Sequence, residues 1–206
     1  KYMIKMVRNE PMLDFFDRKA VFDKARDLLL ENGYTRAGFE SYSLPEDPLT
    51  KSMKEKKAVY NSLGTQKGEA TNFIAVGSSA HGVLNDQFYF QNYYEQNLYR
   101  DALSQGKFPI YRGIRMSDDD VIRREVIRHI RTFFNVEYDF FEKKYNMKFK
   151  EYFKKELSNL DSFKKDHLLE VNDKNIILSD LGEHFSPQVA NVFDSYNDQK
   201  FYLRKI

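Results

Sequence analysis

The sequence predicts two unlike parts: an α/β part over residues 1–108 and a mostly helical, winged-helix-like part over 109–206. Three observations carry this. First, an alternating segment (Tyr2–Val7), a helix-spaced run and a second β-compatible segment (Tyr34–Tyr42) follow one another with only Asn32-Gly33 between helix and strand. So short a helix-to-strand turn is the mark of a βα repeat. Second, Ser117 stands before Asp118, Asp119 and Asp120, an N-cap and an acid-rich first turn that open a new helix. Third, the chain closes with short helices, a hairpin and one last helix, the element order of a winged helix.

Along the chain, Ala20, Val21, Ala25, Leu28 and Leu29 recur at helical spacing from about Arg18 to Glu31. Leu49–Ala58 reads as a short Lys-rich helix, and Asn61–Thr71, poor in apolar residues, as a loop. Asn72–Gly77 reads as a compact apolar strand running into the small residues Ser78-Ser79-Ala80-His81-Gly82. Phe88–Asn92 is a further strand, Tyr93–Gln105 a helix, and Lys107–Arg112 a connection. In the helix after Ser117, Val121, Ile122, Val126, Ile127 and Ile130 form the buried stripe while Arg123, Arg124, Arg128 and Arg131 face largely outward. Helices over Tyr138–Tyr145, Phe149–Leu157 and Ser158–Lys165 precede a hairpin of Leu168–Val171 with Ile176–Leu178. A final helix runs from Ser179 or Asp180 to Tyr196.

Composition bounds the function. With 206 residues, 41% of them hydrophobic, and 18 Phe and 14 Tyr, the chain can bury a core. Its 33 basic and 31 acidic residues leave a net charge of +2, which gives no electrostatic reason to bind nucleic acid or an anionic membrane. No apolar run approaches the roughly 18–20 residues of a membrane span. The absence of cysteine excludes disulfides and any thiolate-bound iron–sulfur cluster formed by this chain alone, and fits a cytoplasmic protein. The start, within a strand-like segment and without Met, leads to the expectation of a piece of a longer protein.

Several segments together resemble one family. Lys1–Leu13 is similar to a late barrel strand and its turn, and Gly33–Pro45 to a Gly-Tyr segment ending in Ala-x-Pro. Phe73–Gly82 is similar to a small-residue strand and turn, Arg112–Ile127 to a motif opening on Arg-Gly and closing on Arg-Arg-x-Val-Ile, and Ile176–Tyr196 to a closing wing and helix. These resemble the oxygen-independent coproporphyrinogen III oxidase family, radical S-adenosylmethionine (SAM) proteins with a partial TIM-like barrel followed by a C-terminal domain. The resemblance implies oxidative decarboxylation of two propionates of coproporphyrinogen III to vinyl groups, giving protoporphyrinogen IX in haem biosynthesis. It implies SAM and a 4Fe–4S cluster as cofactors of the full-length protein, with the cluster cysteines upstream. The last barrel units and the C-terminal domain are then what this chain supplies, without catalytic competence of its own. A haem chaperone or an anaerobic haem-processing member of the same family is the alternative.

The resemblance places Gly77, Ser78, Ala80 and His81 along the floor of the SAM site, where small residues let backbone approach a cofactor. His81 stands where the oxidase branch tends to have an aliphatic residue and the chaperone branch a histidine. Read alone, it is a turn histidine beside glycine. Arg123 and Arg124 suit a tetrapyrrole's propionates, since a guanidinium fork matches a carboxylate. The plainer reading pairs them with Asp119, Asp120 or Glu125 and uses them to bridge the two parts. No residue is assigned as catalytic or as a metal ligand; His129, His167 and His184 lack metal-ligand spacing. Acidic residues among the last helices, including Asp180, Glu183 and Asp194, argue against phosphate tracking by the winged-helix-like part, and so against a DNA-binding regulator.

Overall fold

The computed structural model describes residues 13–61, 64–68 and 72–196. The expected strand Tyr2–Val7 lies outside them. The chain is a mixed α/β structure. Helix α1 (Phe15–Glu31) is capped by Asp14, whose carboxylate accepts the Asp17 N–H, and it ends at Asn32 as the sequence predicts. The Tyr34–Tyr42 segment is not one strand. It folds back on itself as two short antiparallel strands, β1 (Thr35–Arg36) and β2 (Tyr42–Ser43), because Ala37 donates to the Ser41 carbonyl (2.8 Å) and closes a tight turn. Helix α2 (Pro48–Lys54) follows. The expected loop after it holds a hairpin, β3 (Val59–Asn61) with β4 (Gly64–Gln66).

Next comes a three-stranded antiparallel sheet in the order β5 (His81–Leu84), β6 (Phe88–Asn92), β7 (Ile110–Arg115). Helix α3 (Gln96–Ser104) lies between β6 and β7 in sequence. The expected connection over residues 107–112 is therefore half strand: Ile110 opens β7, and its pairing with Asn92 carries the chain across to the second part. The expected apolar strand at 72–77 makes a single bridge, Phe73 with Val83, and leaves Ile74 80% and Val76 83% exposed.

The second part opens on α4 (Asp118–Phe133). Ser117 and Asp120 form a reciprocal capping box: the Ser117 hydroxyl accepts the Asp120 N–H, and the Asp120 carboxylate accepts the Ser117 N–H. Hydrogen bonds from the Ser117 N–H and from its hydroxyl hold the Asp120 carboxyl below the usual carboxylate range. Strand β8 (Asn135–Glu137), α5 (Tyr138–Tyr145), α6 (Phe149–Tyr152), α7 (Lys154–Asn159) and α8 (Asp161–Lys165) lead to the hairpin of β9 (Leu169–Val171) and β10 (Asn175–Leu178). The hairpin recruits β8, so the sheet order is β8-β10-β9. The expected last helix is two, α9 (Asp180–His184) and α10 (Ser186–Asn191). Pro187 breaks it, since proline has no N–H to continue the helical ladder and instead sits in the first turn of a new helix.

The hydrophobic core lies in this second part. Val126 and Ile130 of α4 pack with Phe141, Phe149, Phe153, Leu160, Ile176, Val189 and Phe193, each fully buried. The phenylalanines meet edge to face or tilted, with centroids 4.8 Å apart for Phe149–Phe153 and 5.4 Å for Phe153–Phe193. Gly182 brings α9 onto the hairpin strand: a Cβ there would lie 1.7 Å from the Leu168 carbonyl oxygen. Gly182→Ala is expected to cost about 3 kcal/mol of unfolding free energy, from forced displacement of backbone. Urea denaturation reads this, and an unchanged midpoint would contradict the packing.

His129 sits inside the same core, 8% exposed, with the rings of Phe133, Phe140 and Phe141 around it at 4.7–5.2 Å. Burial lowers its pKa to about 4, against a partly offsetting pull from Glu125. The unfolded chain, with an ordinary histidine near 6.5, then binds more protons than the folded one between those values. Stability is full above pH 6.5 and is expected to fall by as much as ~3 kcal/mol on acidification toward pH 4. Unfolding free energies measured across that window in the native chain and in His129→Leu test this; equal slopes in both would rule His129 out.

Candidate functional site

Gly77, Ser78, Ala80 and His81 follow one another at the turn from the extended segment 72–77, which Gly77 ends, into β5, which His81 opens. Its shape is set from outside the loop. The Gly77 N–H donates to the Tyr99 hydroxyl of α3 (3.0 Å), and Ser79 donates to the Tyr93 carbonyl (2.9 Å). Asn92 does most: it is 1% exposed, and its side-chain amide donates to the Ala75 (3.2 Å) and Gly77 (3.0 Å) carbonyls. Its backbone N–H donates to the Ala80 carbonyl at 2.9 Å. One buried residue thus holds three backbone carbonyls, two through its side chain and one through its own N–H. Gly77 has φ +101°, a conformation side-chain-bearing residues rarely adopt, and nothing lies within 4 Å of the place a Cβ would occupy. What the loop turns outward is therefore the bare Cα of Gly77 and the exposed imidazole of His81, which stands opposite Gln91 at the start of β5.

Arg123 and Arg124 are elsewhere, on α4, and their guanidinium groups are not turned outward as their place in the sequence suggests. The side chains are 16% and 13% exposed. Arg123 donates to Asp119 (2.7 Å), Glu156 (2.8 Å) and the Phe193 carbonyl (3.3 Å), and lies over the Phe153 ring. Arg124 donates to both the carboxylate and the backbone carbonyl of Asp86, each at 2.6 Å. Asp86 sits in the β5–β6 turn, so Arg124 ties the loop-bearing sheet to α4. Of the three carboxylates expected to pair with these arginines, Asp119 does, Asp120 serves the helix cap, and Glu125 holds Lys144 and Tyr145.

Among the described residues no group of three or more His, Cys, Asp or Glu side chains is arranged to hold a metal ion. No helix among them is long and apolar enough to cross a membrane. His184 is packed against Phe15, Phe22 and Phe39 at 5.1–6.2 Å, a core histidine in kind. A groove of about 570 Å³ beside Tyr138, Lys150 and Asp173 includes none of the loop residues. Sequence reasoning passed over Asn92 and Tyr99. The only local sign was the pair of amide side chains, Gln91 and Asn92, closing a strand that opens on three aromatic residues.

No protein-family model matches the chain. Curated relatives do. The oxygen-independent coproporphyrinogen III oxidase of Escherichia coli K12 is 30% identical over 177 residues, 86% of this chain and 38% of that protein. The enzyme of the same name from Helicobacter pylori J99 is 28% identical over 180 residues, 87% of this chain and 39% of its own. A solved structure, described as coproporphyrinogen III oxidase (HemN) from Escherichia coli, a radical SAM enzyme, superposes with a TM-score of 0.79 over 90% of this chain at 27% identity. The chain is a relative of the oxygen-independent coproporphyrinogen III oxidases. The motifs in Gly33–Pro45, Phe73–Gly82, Arg112–Ile127 and Ile176–Tyr196 led to the same family. The chain spans about two-fifths of the length of these oxidases, 38–39% of the two curated proteins and 42% of the structure.

Asn92→Ala strips the Ala75 and Gly77 carbonyls of their donor, a loss of about 1–3 kcal/mol in local stability. Amide hydrogen exchange at Gly77 and Ser79 is expected to accelerate accordingly, while exchange in the distant Ile176–Leu178 strand stays as it was. Unchanged exchange in the loop would show that Asn92 does not hold it.

Proposed function

We propose that this chain is the barrel-wall and closing portion of a radical SAM enzyme that oxidatively decarboxylates two propionates of a porphyrinogen to vinyl groups. The observation that carries the reading is the structural match at a TM-score of 0.79 and 27% identity across 90% of the chain. In this reading residues 1–108 belong to a partial barrel and 109–206 to a winged-helix-like domain that covers the substrate. In support of that division, the core residues from Val126 to Phe193 all come from the second part. The setting is proposed to be cytoplasmic.

Gly77, Ser78, Ala80 and His81 are proposed to face SAM. The loop fits such a ligand in one respect: at Gly77 the backbone is bare and approachable, with its own polar groups already satisfied by Asn92 and Tyr99. The 4Fe–4S cluster does not fit this chain, which has no cysteine, so its thiolates belong to sequence not represented here. Bound together, the two cofactors supply hydrogen-atom abstraction. What this chain's residues do is hold a backbone floor in place and close over the substrate. For Arg123 and Arg124, whose donors are taken up by Glu156 and Asp86, we propose a positioning role rather than contact with substrate propionates. The relatives reported above each carry an oxidase name, so the haem-chaperone and haem-processing alternative is set aside.

After iron–sulfur reconstitution, the 206-residue chain alone is expected to form no 5′-deoxyadenosine from SAM, whereas a longer protein containing this chain and the cluster cysteines does so and converts coproporphyrinogen III. Chromatography of the nucleoside and porphyrin products checks both statements. Cleavage by the chain alone would sink the proposed division of labour.

A further inference from the structure

The sheet formed by β5, β6 and β7 is filled on one side and open on the other. Residues paired across neighbouring strands point to the same side. His81, Gln91 and Arg112 therefore form one row, and Val83, Tyr89 and Ile114 form the next row on that side. The row between them belongs to the other side, where Phe90 lies across Gly82: a Cβ there would meet the ring at 2.1–2.7 Å. On the open side α4 stands at one end, with Arg124 donating to the Tyr89 hydroxyl at 3.3 Å. At the other end the row that starts at the small-residue turn leaves His81 and Arg112 exposed. That row is ordered. The Gln91 amide donates to the Ser79 carbonyl (3.3 Å), and its oxygen accepts from Arg112 Nε (3.0 Å). Arg112 is thus held by one nitrogen. Among the described residues its Nη1 and Nη2 make no hydrogen bond, whereas Arg123 and Arg124 spend theirs on Glu156 and Asp86. A guanidinium fixed at Nε presents a planar fork that grips a carboxylate with two parallel bonds.

We propose that Arg112, held in place by Gln91, is a carboxylate clamp that takes a propionate of the porphyrinogen. The inference rests on the proposed enzyme reading and deepens it. The neighbouring row suits the rest of such a ligand: half-buried Val83 and 50% exposed Ile114 offer apolar surface beside the guanidinium. A tetrapyrrole is an apolar ring with carboxylates at its rim. His81 lies two strands from Arg112, about 10 Å at the usual strand spacing. A ring anchored at Arg112 therefore lies along the row that ends at the residue proposed to face SAM. SAM has a carboxylate of its own, but it carries an ammonium beside it. The row of His81, Gln91 and Arg112 contains no acidic side chain to receive that charge, so the substrate's propionate is the better fit.

The test uses the longer protein that contains this chain and the cluster cysteines. Two quantities are measured: equilibrium binding of coproporphyrin III, the oxidised porphyrin with the same propionates, followed by absorbance, and steady-state turnover of coproporphyrinogen III. Arg112→Gln is expected to weaken porphyrin binding by about tenfold or more and to raise KM for coproporphyrinogen III by a similar factor. Its kcat is expected to stay within about twofold and its KM for SAM to stay as it was, the pattern of a lost holding contact. Arg112→Lys keeps the charge without the fork and is expected to recover part of the loss. Arg115→Gln is the control: it removes the same charge from the same strand but from the opposite side, where Arg115 lies over the Phe88 ring. It is expected to bind as the native protein does. Unchanged porphyrin binding in Arg112→Gln, or equal weakening by Arg115→Gln, overturns the inference. A rise in KM for SAM in place of that for the porphyrinogen also overturns it, and would assign the clamp to the carboxylate of SAM. The enzyme reading fails separately, if the native protein binds coproporphyrin III through Arg112 yet forms no 5′-deoxyadenosine.

Discussion

The structure depends on how α4 is occupied on all sides. One face puts Val126 and Ile130 into the phenylalanine core. The other carries arginines at 123, 124, 128 and 131, which between them reach three neighbouring regions. Arg123 takes Glu156 of the helical part, Arg124 takes Asp86 of the three-stranded sheet, and Arg128 approaches the same Asp86 at 3.7 Å. Arg131 donates to the hydroxyls of Ser186 (2.8 Å) and Tyr60 (3.0 Å) and lies over the Tyr60 ring at 4.5 Å. Pairs this sheltered add little net stability, since desolvation offsets attraction. They are unforgiving of rearrangement, however, because moving one partner strands a charge. The helix thereby fixes register between the sheet and the helical core, and the small-residue loop inherits its place from the sheet.

Much of this was legible wherever the controlling contact is local. Ser117 and Asp120 are three residues apart and form the capping box their order implies. Asn32-Gly33 ends α1, and the turn at residues 172–175 joins the β9–β10 hairpin. The small residues at 77–81 form one loop, as their side chains allow. Local reading failed where a distant group decides. Asn92 lies 15 residues from Gly77 and nothing around it announces a clamp. Ile110–Arg115 became a strand because Phe88–Asn92 offered it a partner, and the arginines turned inward because Asp86 and Glu156 were brought to them by tertiary structure. Pro187 is the exception. It was visible in the sequence, but the apolar rhythm of Val189, Ala190, Val192 and Phe193 continues past it and masked the break.

The two arginines once matched to propionates illustrate a general point about charge in a sequence. A guanidinium fork suits a ligand carboxylate and a protein carboxylate equally well. Which it meets is decided by whether the fold supplies one first, and here Asp119, Glu156 and Asp86 arrive at 2.6–2.8 Å. His81 is the opposite case: it remains exposed at the start of β5, free to meet something that is not part of the chain.

The exposure of Ile74 and Val76 also bears on how the chain behaves as its concentration rises: an uncovered apolar extended segment favours association between copies.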